Sequence, residues 1–271
     1  MNKVVIFSPN RFSLYTTTVA ALLIARDVHI STIFVRNLLN PGRFASEIRR
    51  DGKRLFYKIW QKMILRQAAY GPGKGETILD LRKKHAITQR KVEDFREKYS
   101  IPVIHCGSLN DSIVLNGLKR IQPDLVVFTG GGLIRQDVLE NSGQGVLNCH
   151  MGMLPEYRGM DVVEWPLLRG RFDQVGITVH FMDRGVDTGD ILRIIPIPPL
   201  AGESITNLRH RIEPIMCQTL VESCVEFLDG KISRIPQDKE AGRQYFKMHP
   251  RLAAIASRKL IQPMLKGSEL K

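Results

Sequence analysis

No stretch of eighteen or more apolar residues occurs anywhere in this sequence, so no transmembrane helix is expected. Cysteine is scarce, four in 271 residues, and none stands in a C-x-x-C pair or at zinc-ligand spacing. Cys106 and Cys149 fall at strand ends, and Cys217 and Cys224 are seven apart on one helical face. They read as small buried hydrophobes in a reducing compartment. The N-terminal "MNKVVIFSPN" has an apolar core of four residues before a Ser-Pro turn, too short for a signal peptide. It reads as a first strand, and a cytoplasmic protein is expected. Low-complexity tracts and internal repeats are also missing, while 43% hydrophobic residues suffice for a sizeable core.

Acidic residues are in deficit: 27 against 40 basic ones, a net charge of +13. That excess points to anionic partners, whether a phosphorylated substrate, nucleic acid or a membrane surface. It is unevenly spread, because residues 36–66 hold nine Lys or Arg against Glu47 and Asp51.

What is present has a regular order. "KVVIF" (3–7) and "VHISTIFV" (28–35) are β-branched runs flanking a helical segment at about 12–26. Further strands fit "PVIHC" (102–106), "DLVVF" (124–128) and "GVLNC" (145–149), with helices near 110–121 and 135–141. Strands alternating with helices predict an α/β fold with a doubly wound, mostly parallel sheet, in which ligands bind beyond the carboxyl ends of the strands. Asn148 and His150 fall at such an end. "GITVHFM" and "DILRIIPI" read as two antiparallel strands around the loop "DRGVDTG". Ser204 starts a long helix that Gly230 ends, with Pro214 inside it expected to introduce a kink. The 41 residues that follow form a small C-terminal extension, basic and mixed, too short for a second full domain.

Residues 43–66 stand apart. Phe44, Ile48, Leu55, Phe56, Ile59, Trp60, Met63 and Ile64 keep helical spacing, while Arg49, Arg50, Lys53, Arg54, Lys58 and Lys62 crowd the other face. Two readings are open: a helix packed on its own domain with a solvated basic face, or one that contacts an acidic membrane or polyanion.

The chemistry-bearing residues come in a fixed order. Asn148-x-His150 is followed by Leu154-Pro155-x-Tyr157-Arg158-Gly159, Trp165, Gly176-x-Thr178-x-His180, Asp183, and Gly185-Val186-Asp187-Thr188-Gly189-Asp190. As an ordered set they closely resemble the folate-dependent formyltransferase family, which includes glycinamide ribonucleotide, methionyl-tRNA and sugar-nucleotide N-formyltransferases. The resemblance covers about residues 1–205.

The resemblance implies a formyltransferase Rossmann-like fold and transfer of a formyl group from 10-formyltetrahydrofolate, as co-substrate, to a primary amine, with no metal. By the matching motif Asn148, His150 and Asp187 are catalytic. Amine attack on a formamide carbonyl builds an oxyanion, so the site needs donors aimed at that oxygen and a group that moves protons. An Asn amide donates without ionising, a His two residues along the strand shares its face, and a carboxylate raises the basicity of an imidazole. Asp183 and Asp190 are rival carboxylates, and position in the motif favours Asp187. Where the family usually has H-x-S-L-L-P, Gly152 replaces the hydroxyl residue, which removes one hydrogen bond near the His.

"FTGGGLIRQ" (128–136) matches the strand-loop that lines the family's folate pocket, giving Gly130, Gly131, Gly132, Leu133 and Ile134, with Asp183, as cofactor-binding residues. The first strand-to-helix loop offers Ser8, Asn10 and Arg11 to the acceptor's anionic end, joined by Tyr157, Arg158 and Gly159.

The sequence thus divides into a catalytic domain at 1–205, carrying a basic amphipathic insertion at about 36–100, and a C-terminal helix and basic tail at 206–271. Only Lys231–Lys271 follows the long helix, where methionyl-tRNA formyltransferases carry a further domain, so the favoured acceptor is a small anionic amine, the amino group of a nucleotide-linked amino sugar. Methionyl-tRNA or another amine, hydrolysis of formyltetrahydrofolate, and recruitment to a membrane or polyanion through 43–66 are the alternatives. A homodimer is left open.

Overall fold

The computed structural model describes residues 2–37 and 75–266, with side chains as far as residue 260. The expected basic helix at 43–66 lies outside the described residues.

The described chain begins with β1 (Lys3–Ser8), α1 (Leu14–Ile24) and β2 (His29–Arg36). Ser13 starts α1 by accepting a hydrogen bond from the Thr16 amide. Next come α2 (Ile78–Lys84), α3 (Asp94–Tyr99), β3 (Val103–Cys106), α4 (Ser112–Ile121), β4 (Leu125–Phe128), α5 (Gln136–Glu140) and β5 (Val146–His150). Thr77 and Asp80 close a capping box on α2. The second half holds β6 (Tyr157–Gly159), α6 (Glu164–Leu168), β7 (Gly176–Phe181), β8 (Ile191–Pro196), α7 (Ile205–Leu228), β9 (Arg243–Tyr245) and α8 (Pro250–Lys266).

Seven strands form one sheet in the order β3-β2-β1-β4-β5-β7-β8. The first five are mutually parallel; β7 runs antiparallel to β5, and β8 antiparallel to β7. This is the α/β, mostly parallel sheet expected from the alternation of strands and helices. The long helix starts at Ser204, continues through Pro214, and is followed by Gly230 in the left-handed region.

Strand alternation sorts the core into two layers. Val4 and Ile6 of β1, with Leu125 and Val127 of β4, face the layer completed by α1 and α7. Val5 and Phe7, with Val126 and Phe128, face the layer completed by α4 and α5. On β5, Leu147 and Cys149 belong to the first layer and Val146 to the second. On β7, Ile177, Val179 and Phe181 also belong to the first. The remaining positions, Asn148, His150, Thr178 and His180, are therefore the polar end of the second face.

All four cysteines are free and buried. Burial pushes the Cys106 and Cys224 thiols up to about 12, and the Cys149 thiol higher still, so none of the three is a thiolate at neutral pH.

Two features differ from the sequence expectation. Tyr157-Arg158-Gly159, where no strand was expected, is a short strand paired in parallel with β9. The segment after α7, read as a basic tail, returns across the molecule: Ile235 bridges Ile191, β9 pairs with β6, and α8 packs on α6. Tyr157, Val162 and Tyr245 form a separate small apolar cluster with Trp165 packed against it. Three-residue strands lack a periodic signal of their own, and their pairing depends on partners far along the chain.

Candidate active site

Register places the functional side chains. Across the β5–β7 pair, Asn148 stands opposite His180 and His150 opposite Thr178, so all four share one face at the carboxyl end of β5. Thr178 holds the loop that leaves β5: its hydroxyl donates to the Gly152 carbonyl at 2.8 Å and accepts from the Leu154 amide at 3.0 Å.

His150 is buried, and its Nε2 donates to the Tyr157 carbonyl at 2.8 Å. That bond leaves Nδ1 as the nitrogen facing Asp187, 3.5 Å from Oδ2. Asp187 reaches this position from the β7–β8 loop with φ +54°, a left-handed conformation that Asp adopts more readily than most residues. Its Oδ2 also accepts from the Gly159 amide at 2.9 Å, and its Oδ1 lies 3.6 Å from His180 Nε2.

His180 completes the group. Its Nδ1 donates to the Phe181 carbonyl at 2.8 Å, which leaves Nε2 to accept from the Asn148 amide nitrogen at 3.1 Å. Burial first, then the neighbouring His150, push the His180 imidazole well below its ordinary value, overcoming the opposing effect of Asp187. A neutral His180 therefore fixes which end of the Asn148 side chain is the amide nitrogen. One of its two N–H bonds goes to His180, and the other remains for a ligand.

Gly152 sits against this group. A Cβ there would stand 2.8 Å from His150 Nε2, 2.8 Å from a Val162 methyl and 2.9 Å from the Tyr157 carbonyl oxygen. The missing side chain makes room for the His150–Tyr157 hydrogen bond itself.

The arrangement pairs a neutral donor, an imidazole and a carboxylate on one strand end. A family model described as "Formyl transferase" matches residues 80–223, more than half of the 271-residue chain. The chain belongs to the formyl transferase family.

Relatives within that family are named methionyl-tRNA formyltransferase. The one from Geobacter sulfurreducens is 33% identical over 150 residues, covering 54% of this chain and 46% of the relative. That from Syntrophus aciditrophicus is 39% identical over 144 residues, covering 52% and 45%. The chain thus spans about half the length of the curated relatives it matches. Solved structures extend the likeness of fold. A sugar N-formyltransferase from Shewanella superposes with a TM-score of 0.57 at 14% identity, covering 96% of this chain and 88% of that one. Glycinamide ribonucleotide transformylase 1 from Symbiobacterium toebii gives 0.56 at 16% identity, covering 87% and 94%.

Around the central group the other expected residues are distributed unequally. Gly130, Gly131 and Gly132 follow β4, the neighbour of β5, and all three have φ above +100°. Among the described residues no backbone hydrogen bond engages their amides, and Leu133 beside them is 69% exposed. Arg36 at the end of β2 donates to the Gly131 carbonyl and holds the loop in place. A side chain at Gly131 would strike Leu109 at 2.4 Å. Uncovered backbone edges beside an exposed leucine suit a flat heterocycle with donors and acceptors on its rim. Ile134, by contrast, is buried in the second core layer, so only its backbone faces the loop.

Asp183 does not reach the imidazoles. Its Oδ1 accepts from Gly185 N and the Thr188 hydroxyl, and its Oδ2 pairs with Lys239 at 3.2 Å, so it shapes the Asp187 loop. Ser8 is fully buried and bonded to Thr16 and the Asn10 carbonyl, while the Asn10 side chain caps Phe12 N. Arg11 is half exposed and paired with Glu93 at 3.2 Å. Ser8 ends β1, two strand positions from β5 in the sheet, and Asn10 and Arg11 follow it in the loop to α1. Gly159 touches Asp187 directly; Tyr157 contributes its carbonyl, and Arg158 turns away to the Lys239 carbonyl at 3.0 Å.

Two participants went unassigned by sequence reasoning. His180 stood in the G-x-T-x-H motif without a role, although strand alternation already put it on the face of Thr178. Gln237 carried no signal. Its amide donates to the carbonyls of Asp187, at 3.2 Å, and Gly189, and so clamps the carboxylate-bearing loop from the C-terminal segment.

Among the described residues no group of His, Cys, Asp and Glu is arranged to hold a metal ion. No described helix is long and apolar enough to cross a membrane.

Proposed function

We propose that the protein transfers the formyl group of 10-formyltetrahydrofolate to a primary amine, the amino group of a nucleotide-linked amino sugar. The observation that carries the reading is the meeting of His150 and Asp187, thirty-seven residues apart in sequence, beside the Asn148 amide.

In this reaction the amine nitrogen bonds to the formyl carbon, the bond from that carbon to the folate nitrogen breaks, and one proton passes from the amine to the leaving nitrogen. Asn148 donates its free N–H to the oxygen on which negative charge develops. His150 Nδ1, the nitrogen not bonded to Tyr157, takes up the amine proton beside Asp187 and passes it on. Asp187 orients the imidazole and balances the positive charge it carries in transit. The Gly130–Gly132 loop and Leu133 receive the pteridine ring. Arg11, at the mouth of the first strand-to-helix loop, meets the acceptor's anionic end. Residues 1–205 act as the catalytic domain, and the C-terminal helix and the segment beyond it support its loops.

A net charge of +13 suits a doubly charged acceptor. The sequence relatives named methionyl-tRNA formyltransferase favour a second reading, in which the amine is that of methionyl-tRNA. One experiment separates them. The protein is incubated with 10-formyltetrahydrofolate and a panel of amino-sugar nucleotides and methionyl-tRNA, and products are read by mass spectrometry for the gain of one carbonyl. A formylated nucleotide sugar, with the rate removed by His150→Ala, is the expected result. Formylation of methionyl-tRNA alone overturns the acceptor assignment; wild-type rates from His150→Ala overturn the mechanism.

A further inference from the structure

A cavity of 340 Å³ lies beside the β6–β9 pair, lined in part by Arg169, Arg171, Arg243, Tyr157, Gln174 and Tyr245. Tyr157 stands opposite Arg243, and Tyr245 lies two residues on, so strand alternation puts these three side chains on one face. Arg158 points from the other face, where it binds the Lys239 carbonyl. The cavity is therefore on the far side of the pair from Arg158 and is separate from the imidazole–carboxylate group.

Its chemistry is specific. Arg171 pairs with Asp173 at 3.2 Å and is 54% exposed, which leaves its guanidinium partly available. Arg169 lies over the Tyr245 ring at 5.2 Å and hydrogen-bonds the Tyr157 side chain, and Arg243 on β9 is exposed. Glu156 at the rim is the opposing charge. Tyr245 is stacked against Tyr157 at 5.5 Å and tilted against Trp165 at 5.0 Å, so the rings offer no open face to a base. Recognition falls to the guanidinium forks, which match the paired oxygens of phosphoryl groups. The volume exceeds what one tetrahedral oxyanion fills.

We propose that this cavity binds a pyrophosphate group, held by Arg169, Arg171 and Arg243. The group comes from free pyrophosphate or from a nucleoside diphosphate. Occupancy is felt at the catalytic strand through Tyr157, whose hydroxyl donates to Gln174 in the cavity at 2.6 Å and whose carbonyl accepts from His150.

The test is calorimetric titration of the intact protein at low salt with inorganic pyrophosphate and, separately, uridine diphosphate. Quenching of Trp165, which packs on Tyr245, gives a second readout. Arg243→Ala and the double variant Arg169→Ala/Arg243→Ala are titrated alongside, with circular dichroism to verify folding. Because Arg169 also packs on an aromatic ring, the exposed Arg243 variant stands alone if the double variant fails to fold. Binding that weakens by about tenfold in the double variant and severalfold in Arg243→Ala, and that fades with added salt, is expected. Equal affinity for both probes assigns the free pyrophosphate group; tighter binding of uridine diphosphate assigns a nucleotide. Absence of binding by either probe, or unchanged affinity in folded Arg243→Ala, overturns the proposal. Probe bound at the acceptor site of the proposed reaction would keep its affinity in Arg243→Ala, so the variant separates this cavity from that site.

Discussion

The Asp187 carboxylate stands 3.5 Å from His150 Nδ1 and 3.6 Å from His180 Nε2, one oxygen directed to each ring. A single side chain on a loop thus faces two strand-borne imidazoles, one buried neutral beside Asn148 and one bonded through its other nitrogen to Tyr157. Asp187→Asn keeps the shape, tolerates the left-handed backbone, and can still accept from Gly159 N, but removes the charge. The expected outcome is a fall in kcat of about 10²–10⁴-fold with little change in melting temperature. Near wild-type kcat would show that the carboxylate is merely a loop residue.

His180 makes stability depend on pH in a defined direction. Unfolded, its ring takes up a proton near the ordinary value of 6.5; folded, burial lowers that value to about 4. Between those limits the unfolded state binds more protons, so the His180 contribution is intact above pH 6.5 and is lost as pH falls toward 4. Denaturant melts of wild type and His180→Gln across this window should give a shallower pH slope for the variant. Equal slopes would mean that the neutral ring is not what the fold selects.

Gly152→Ala introduces a Cβ 2.8 Å from both His150 Nε2 and Val162. Neither neighbour can withdraw without disturbing the site, so overpacking should cost about 1–3 kcal/mol and displace the imidazole. Both melting temperature and kcat are expected to fall, and a variant with neither loss would show that the loop simply moves aside. In this arrangement the Tyr157 carbonyl occupies the space beside His150 that a side chain at position 152 would enter.

Gln237→Ala removes two donors to the carbonyls of the Asp187 loop. The loss should be about 1 kcal/mol of stability, with kcat reduced more than KM because Asp187 is released rather than a ligand contact removed. Kinetics showing a KM effect alone would place Gln237 in substrate binding instead.

The sequence by itself determined the class of sheet, because β-branched runs separated by helical segments predict a mostly parallel arrangement, while the order of its strands came from the tertiary structure. It also determined that Asn148 and His150 share a face, since strand alternation has a period of two. Leu125, Val127, Leu147, Cys149, Ile177 and Val179 follow the same rule on the opposite layer. What it left open were contacts made across long stretches of chain with no local signature. Asp187 meets His150 only because β7 pairs antiparallel with β5 and its loop returns over the strand end. Asp183, equally plausible by composition, is drawn off by Thr188 and Lys239. The C-terminal segment read as a small basic tail, because three-residue β9 has no periodicity to detect. Tertiary pairing with β6 and the Gln237 hydrogen bonds turned it into the support for Tyr157 and the Asp187 loop.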